Sequence, residues 1–236
     1  MFKKTFLVTT MIILSGHAHA ADTGHPVVLE LFTSQSCSSC PPADALLKQL
    51  SASDPDVLPL SFHVHYWDYL SWKDTYSSPV YTDRQKTYAK GLGQNGVFTP
   101  QLIVNGTASV VGSNENDVNR AIAAARRLPP AVSVSIKPAG HQLIASIAAN
   151  GSSAPVQADI WEVRFDRYAK THVAAGENGG RTLESINNVT SITSLGTWRP
   201  DDSNTISLDI PASGGVAIIV QTQGQGAVLG AASYVN

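Results

Sequence analysis

Two cysteines, and only two, occur in the 236-residue chain, and they stand three apart as Cys37-Ser38-Ser39-Cys40. The run before them, Val27 to Phe32, is nearly continuous apolar, as in a central strand covered on both faces. The stretch after them, Ala43 to Leu50, carries Leu46, Leu47 and Leu50 on one helical face. A Cys-x-x-Cys at a strand-to-helix turn reads as a redox pair. Both sulfurs lie at the helix start, where unpaired N–H groups and the helix dipole favour a thiolate. As a staple the four-residue ring is weak: chain entropy gives it about 2 kcal/mol, against about 4.7 for a hundred-residue loop. A structural zinc site asks for four ligands, and neither a second cysteine pair nor His-x-x-x-His is present. An inert disulfide, and a copper site of Cys37, Cys40 and a histidine, stay open.

The first twenty residues read as a secretory signal peptide. Lys3 and Lys4 open it, Phe6 to Leu14 form its apolar core, and Ala18-His19-Ala20 is the cleavage site. That core is too short for a membrane span, and no later run is long and apolar enough for one. The expected location is secreted or periplasmic, where a cysteine pair meets an oxidising compartment. Lys plus Arg number 16 against 18 Asp plus Glu, and losing Lys3 and Lys4 takes the formal charge from −2 to −4. Nucleic acid would ask for a basic face, so it is not an expected partner.

Leu58, Leu60, Phe62 and Val64 alternate as a second strand, with His63 and His65 on its other face near the C-terminal end. The aromatic segment from His65 to Tyr76 follows, then a helical pattern from Thr82 to Leu92. Leu102 to Val104 and Ala108 to Val111 flank Asn105-Gly106 as a hairpin. Asn114 caps a last helix through Val118, Ile122, Ala125 and Leu128, which Pro129-Pro130 ends. A right-handed crossover makes the first two strands parallel neighbours and puts the cysteines and the histidines on one rim. Glu30 interrupts the first strand. Buried there, its carboxylate could take a proton from Cys40; the alternative is an edge position or a pairing with a lysine.

This order, with Thr99-Pro100 before the third strand, resembles the thioredoxin fold. The resemblance implies a cis Pro100 against the redox pair, with Thr99 offering backbone to a bound peptide. Leu31-Phe-Thr-Ser34, Cys37-Ser-Ser-Cys-Pro-Pro-Ala-Asp44, Ser61-Phe-His-Val64, Tyr66-Trp-Asp-Tyr69, Thr99-Pro-Gln101, Val104-Asn-Gly106, Gly176-Glu-Asn178 and Gly180-Arg-Thr-Leu183 are similar to the secreted bacterial family called domain of unknown function 1223. That family implies a thioredoxin-like part followed by a β-rich part, and leaves activity unassigned. Ser36, His65 and Gly179 stand where the family usually has glycine, aspartate and arginine.

Beyond Pro130 come short alternating runs: Val132 to Ile136, Leu143 to Ala149, Val156 to Phe165, Thr205 to Ile210, Val216 to Gln221 and Val228 to Val235. Gly, Pro, Ser and Asn separate them, a β-sandwich pattern. The expected organisation is therefore α/β plus all-β: signal peptide 1–20, thioredoxin-like domain 22–129, β-sandwich 131–236. Cys37 is the expected attacking thiol, more exposed than Cys40, which resolves. Tyr66, Trp67, Tyr69 and Trp72 are candidates for a substrate groove or for core. Glu177 and Arg181 are candidates for a loop-bracing pair or for contacts with the other domain. The leading reading is thiol–disulfide exchange with protein or small-molecule thiols and no organic cofactor. The rivals are copper binding through Cys37, Cys40, His63 or His65, and a non-catalytic binding module.

Overall fold

The computed structural model describes residues 25–151, 157–201 and 204–236; the expected signal segment lies outside them, as does the start of the strand expected from Val156. Strand β1 (Val27–Thr33) leads through the cysteines into helix α1 (Pro41–Ser53), then β2 (Val57–His63) and α2 (Pro79–Gly91). The hairpin β3 (Gln101–Val104) and β4 (Ala108–Val111) precedes α3 (Glu115–Arg126). Seven strands follow: β5 (Val132–Ala139), β6 (Gln142–Ala149), β7 (Ala158–His172), β8 (Thr182–Trp198), β9 (Asn204–Asp209), β10 (Gly215–Gln221) and β11 (Val228–Val235).

Local chemistry accounts for the boundaries. Cys40 is the N-cap of α1 in helical geometry, and the prolines fall at the first two helical positions, where a missing N–H costs nothing. Asn114 caps α3 by accepting from the Asp117 N–H. Asn105 and Gly106 have φ of 45° and 70°, as a two-residue hairpin turn requires. The Asn105 side chain also accepts from the Val28 N–H at 2.7 Å.

Strands β1 and β2 are parallel neighbours, with Thr33 level with His63, and β3 runs antiparallel on the other side of β1. Alternation along β1 and β2 divides the core. Val28, Phe32, Leu60, Phe62 and Val64 pack with Tyr81 and Tyr88 of α2. Leu29 and Leu31 pack with Leu46, Leu47 and Leu50 of α1 and with Val118 and Ile122 of α3. Thr33, Ser61 and His63 share the α1 face by the same parity.

One mixed sheet of eight strands, in the order β11-β10-β7-β8-β2-β1-β3-β4, runs across the expected boundary between residues 129 and 131. A three-stranded antiparallel sheet, β5-β6-β9, is the second layer. Its Val132, Val134, Leu143 and Ile147 pack on Ile160, Val216, Ile218 and Val220. The C-terminal half thus has two layers, one of which is the sheet that also holds β1.

The join is β8, a strand absent from the sequence-based expectation. It pairs with β2 through Ser61 and Asn188. Side chains extend that short ladder: Ser61 Oγ donates to the Ile186 carbonyl at 2.8 Å and Asn187 Nδ2 to the Pro59 carbonyl at 2.8 Å. In β8, Leu183, Ile186, Val189, Ile192, Leu195 and Trp198 recur every third residue, a period of neither strand nor helix. Register shifts opposite Ile160/Trp161 and Arg164/Phe165 leave Leu195 and Thr190 as extra residues on β8. Each bulge resets which face the next side chain meets.

Candidate functional site: a capped disulfide

Cys37 and Cys40 form a disulfide at the N-terminal end of α1. Thr99-Pro100 is cis and adjoins it: the Thr99 hydroxyl donates to Cys37 Sγ at 3.2 Å and accepts from Trp67 Nε1–H at 2.8 Å. Ser39 Oγ lies 3.4 Å from the same sulfur. Two hydroxyls facing one sulfur stabilise a thiolate there once the bond is reduced. A methyl group at Gly112 would meet Leu31 Cδ1 at 2.8 Å, Ala43 Cβ at 3.2 Å and Pro100 Cβ at 3.5 Å. Glycine there lets the chain leaving β4 pass close between Leu31, Ala43 of α1 and Pro100.

Beneath the disulfide lies a buried polar floor. His63 Nδ1 is 2.7 Å from Asp74 Oδ2, and His63 Nε2 is 2.9 Å from Asn188 Oδ1. Asp74 also accepts from the Gln35 N–H at 2.7 Å and the Tyr76 N–H at 2.9 Å, so it anchors the cysteine loop as well as the histidine. Burial disfavours the His63 imidazolium, but the charge and hydrogen bond of Asp74, with Asp44 and Asn188, outweigh it and raise the pKa. Burial likewise raises Asp74, but His63 and the two backbone N–H groups overcome it and hold the carboxyl low. Asp44, one helical turn after Cys40, accepts from Thr33 Oγ1 at 3.0 Å. Burial pushes its pKa from 3.8 up to about 6, against the opposing pull of His63 and the Thr33 hydroxyl.

These shifts have opposite consequences for stability. A raised His63 stabilises fully below its ordinary value and loses that contribution as pH rises through its folded value. A lowered Asp74 stabilises above its ordinary value and loses that contribution as pH falls through its folded value. Asp44 is a raised acid, so ionising it costs stability between pH 3.8 and about 6. Asp44→Asn should therefore gain on the wild type, by on the order of 1–3 kcal/mol, between pH 4 and pH 7. Urea midpoints across that range are the measurement; a constant offset would refute it.

The roof is the β7–β8 connection, residues 173–181. Asn178, fully buried, donates from Nδ2 to the Gln35 carbonyl at 3.0 Å and the Cys37 carbonyl at 2.9 Å. Its Oδ1 accepts from Arg181 Nη1 at 2.6 Å. Glu177 Oε2 accepts from the Ser38 N–H at 3.0 Å, and that bond lowers its pKa. Gly176, at φ 76°, passes so close to Leu70 and Trp72 that a Cβ would lie 3.1 Å from the Leu70 carbonyl oxygen. Under this roof Cys37 is 1% and Cys40 0% exposed. The expected difference in exposure between Cys37 and Cys40 is therefore absent: both are buried, and the loop from the distant half of the chain bonds the backbone around Cys37, while Ser38 and Ser39 stay exposed.

Other expected residues are placed elsewhere. Glu30 is on the α2 face of β1, opposite the helix that carries Cys40, and is paired with Arg84. Nε and Nη2 of Arg84 donate to its two oxygens at 2.6 and 2.8 Å, and the Tyr88 hydroxyl donates at 2.5 Å. Glu30 is therefore neither at an edge nor paired with a lysine: its partner is an arginine. His65 does not continue β2, which ends at His63; it opens a 3₁₀ turn, His65–Trp67, and bonds Thr82 Oγ1 through Nδ1 at 2.8 Å. Trp72 Nε1 donates to Gln35 Oε1 at 3.0 Å, bracing the cysteine loop. Trp67 stacks on Tyr69 with ring centres 6.4 Å apart, and Tyr69 is 75% exposed; Tyr66 packs inward beside Trp67. Glu177 and Arg181 do not pair with each other. Asn188 and Gln35 carry no signal beyond ordinary polar residues, and Asp44 and Asn178 stand in family-like motifs with no role attached, since only the fold brings all four to the cysteines. Among the described residues no group of three or more His, Cys, Asp or Glu is poised to hold a metal. A cleft of about 400 Å³ at the opposite end, lined by Asp56, Asn105, Arg126 and Gly230, contains none of these residues.

Fold and site together define a mixed α/β protein with a buried Cys-x-x-Cys disulfide, floored by charged residues of its first half and roofed by a loop of its second. The chain belongs to the family described as protein of unknown function (DUF1223), which matches it over residues 28–221. A crystal structure of protein AGR_C_4864 from Agrobacterium tumefaciens is similar at 34% identity and a TM-score of 0.74, covering 89% of this chain and 93% of that one. HBP35 of Porphyromonas gingivalis shares the fold at 15% identity and a TM-score of 0.61, over 90% of this chain and 75% of that one. No curated protein is significantly similar in sequence.

Proposed function

We propose that this protein is an exported thiol–disulfide oxidoreductase whose N-terminal half is thioredoxin-like. The observation that carries the reading is the Cys37–Cys40 bond at a helix start, with the Thr99 hydroxyl on Cys37 Sγ and cis Pro100 alongside. In the reduced form the Cys37 thiolate attacks a substrate disulfide, forming a mixed disulfide and expelling one substrate thiolate. Cys40 then attacks Cys37 Sγ, closing the intramolecular bond and releasing the second substrate sulfur as thiolate. The protein loses two electrons and the substrate gains them. The roof must lift for either step. The Trp67–Tyr69 stack beside Thr99 is suited to an apolar stretch of an extended protein substrate. A disulfide, and the lack of any helix long and apolar enough to cross a membrane among the described residues, fit a secreted protein.

Insulin reduction in the presence of a dithiol should proceed with the wild type and vanish with Cys37→Ser. Cys40→Ser should accumulate covalent partners, separable on non-reducing gels. An inactive wild type together with an empty trap would overturn the proposal. The burial of both sulfurs favours a second reading, a binding module with a structural disulfide, and that outcome would establish it. Copper binding has less support: both His63 nitrogens are engaged by Asp74 and Asn188, and His65 bonds Thr82.

A further inference from the structure

If the disulfide works by exchange, the second step needs a base. Cys40 must lose its proton before attacking Cys37, and it is fully buried, so water does not meet its sulfur directly. Glu30 is spent on Arg84 and faces α2. Asp44 stands four residues after Cys40 in the same helix, its N–H bonded to the Cys40 carbonyl at 3.1 Å. Side chains at that spacing are neighbours on one helical face, about 5–6 Å apart at Cβ. Asp44 is held by Thr33 and lies in the wall of a cleft of about 310 Å³ between α1 and the start of β8. Lys48, Arg181 and Glu184 line the same cleft.

We propose that Asp44 accepts the Cys40 proton during ring closure and exchanges it with solvent through the α1–β8 cleft, not past the roof. The proposal rests on the exchange reading of the same two sulfurs. Cys40 S–H passes its proton to the Asp44 carboxylate. The Cys40 thiolate then attacks Cys37 Sγ, the Cys37–substrate sulfur bond breaks, and the substrate sulfur leaves with the electron pair. It takes a proton from water, and Asp44 returns its own to water through the cleft. Substrate and proton thus reach the two sulfurs by separate routes. The groups that set Asp44's affinity are all around it: His63 from β2, Asp74 from the loop after it, and Thr33 from β1. Lys48 and Glu184 pair at 2.6 Å, and Arg181 is held by Asn178. A folded value of about 6 keeps the carboxylate available at neutral pH, while burial leaves it more basic than a surface aspartate.

The test is single-turnover oxidation of the reduced full-length protein by 5,5′-dithiobis(2-nitrobenzoic acid). Attack by Cys37 releases one coloured thiolate and ring closure by Cys40 releases a second, which Cys40→Ser assigns by losing it. Asp44→Asn should slow the second release about tenfold or more at pH 7 and leave the first within about twofold. The wild-type second release should rise with an apparent pKa close to 6, and that of Asp44→Asn with that of a free thiol, about 8.5. Thr33→Val, which removes only the hydroxyl on Asp44, should move the wild-type profile to higher pH. Unchanged profiles in both variants, or equal slowing of both releases, would overturn the proposal, as would no release at all from the reduced wild type. The synthetic disulfide makes the result independent of any natural partner. An empty Cys40→Ser trap beside a slowed second release would remove the cellular exchange reading and leave the assignment of Asp44 standing.

Discussion

Arg84→Met should cost about 3–5 kcal/mol of folding stability, a loss read directly from the urea midpoint at constant slope. Glu30 is 1% and Arg84 3% exposed, so water cannot replace the lost partner. The variant keeps the buried Glu30 carboxylate with only the Tyr88 hydroxyl to oppose its charge. Arg84 is also the hub of a wider net: Nη2 reaches Tyr88 at 3.0 Å and Gln221 of β10 at 3.2 Å, and its guanidinium lies over Phe62, Tyr88 and Trp161. The net ties β1 to a strand four places away in the sheet order. Desolvating both charges is expensive, and among the described residues Arg84 Nη1 has no hydrogen-bond partner. Replacing the pair together, as Glu30→Leu with Arg84→Met, should therefore recover most of the loss. A single variant within 1 kcal/mol of the wild type would mean that the interior solvates the stranded carboxylate.

Asn178→Ala should make the disulfide react with dithiothreitol about tenfold faster or more. Its amide satisfies two carbonyls of the cysteine loop from a fully buried position, and leaving such acceptors unmatched costs about 1–3 kcal/mol each. The cost falls on the closed state of the roof, because water reaches those carbonyls once residues 173–181 lift. Opening is then populated more often, and each 1.4 kcal/mol is a factor of about ten in reaction through the open state. Glu177→Gln keeps an acceptor on the Ser38 N–H but removes a negative charge that an incoming thiolate would meet. It should give a smaller gain that salt erases. Equal rates for wild type and Asn178→Ala would show that the sulfurs are reached without moving the roof.

Much of the first half was legible because local rules and global fold agree there. Continuous apolar residues marked β1 as central, and Pro41-Pro42, Asn105-Gly106 and Asn114 named their own turns and caps. Strict alternation in β2 predicted that His63 would face away from Leu60 and Phe62, and it does. The same parity sends Glu30 to the α2 face, which makes Arg84 its partner. Alternation says nothing about where a strand stops, so it carries His65 onto β2, which ends at His63. Strand β8 is not legible in the sequence because two bulges break its period, and because Thr, Ser and Asn make up nine of its seventeen residues.

The amino-acid order alone determined the main strands and helices of the first half, the three-residue spacing of the only two cysteines and their position at a helix start. Those follow from interactions between residues a few places apart. Tertiary structure alone decided that a loop 140 residues downstream roofs the sulfurs, that Asn188 completes the His63–Asp74 pair, and that Asp44 has a cleft to solvent. Each depends on β8 closing against β2, and the polar groups that hold this join become visible only when both strands are in place.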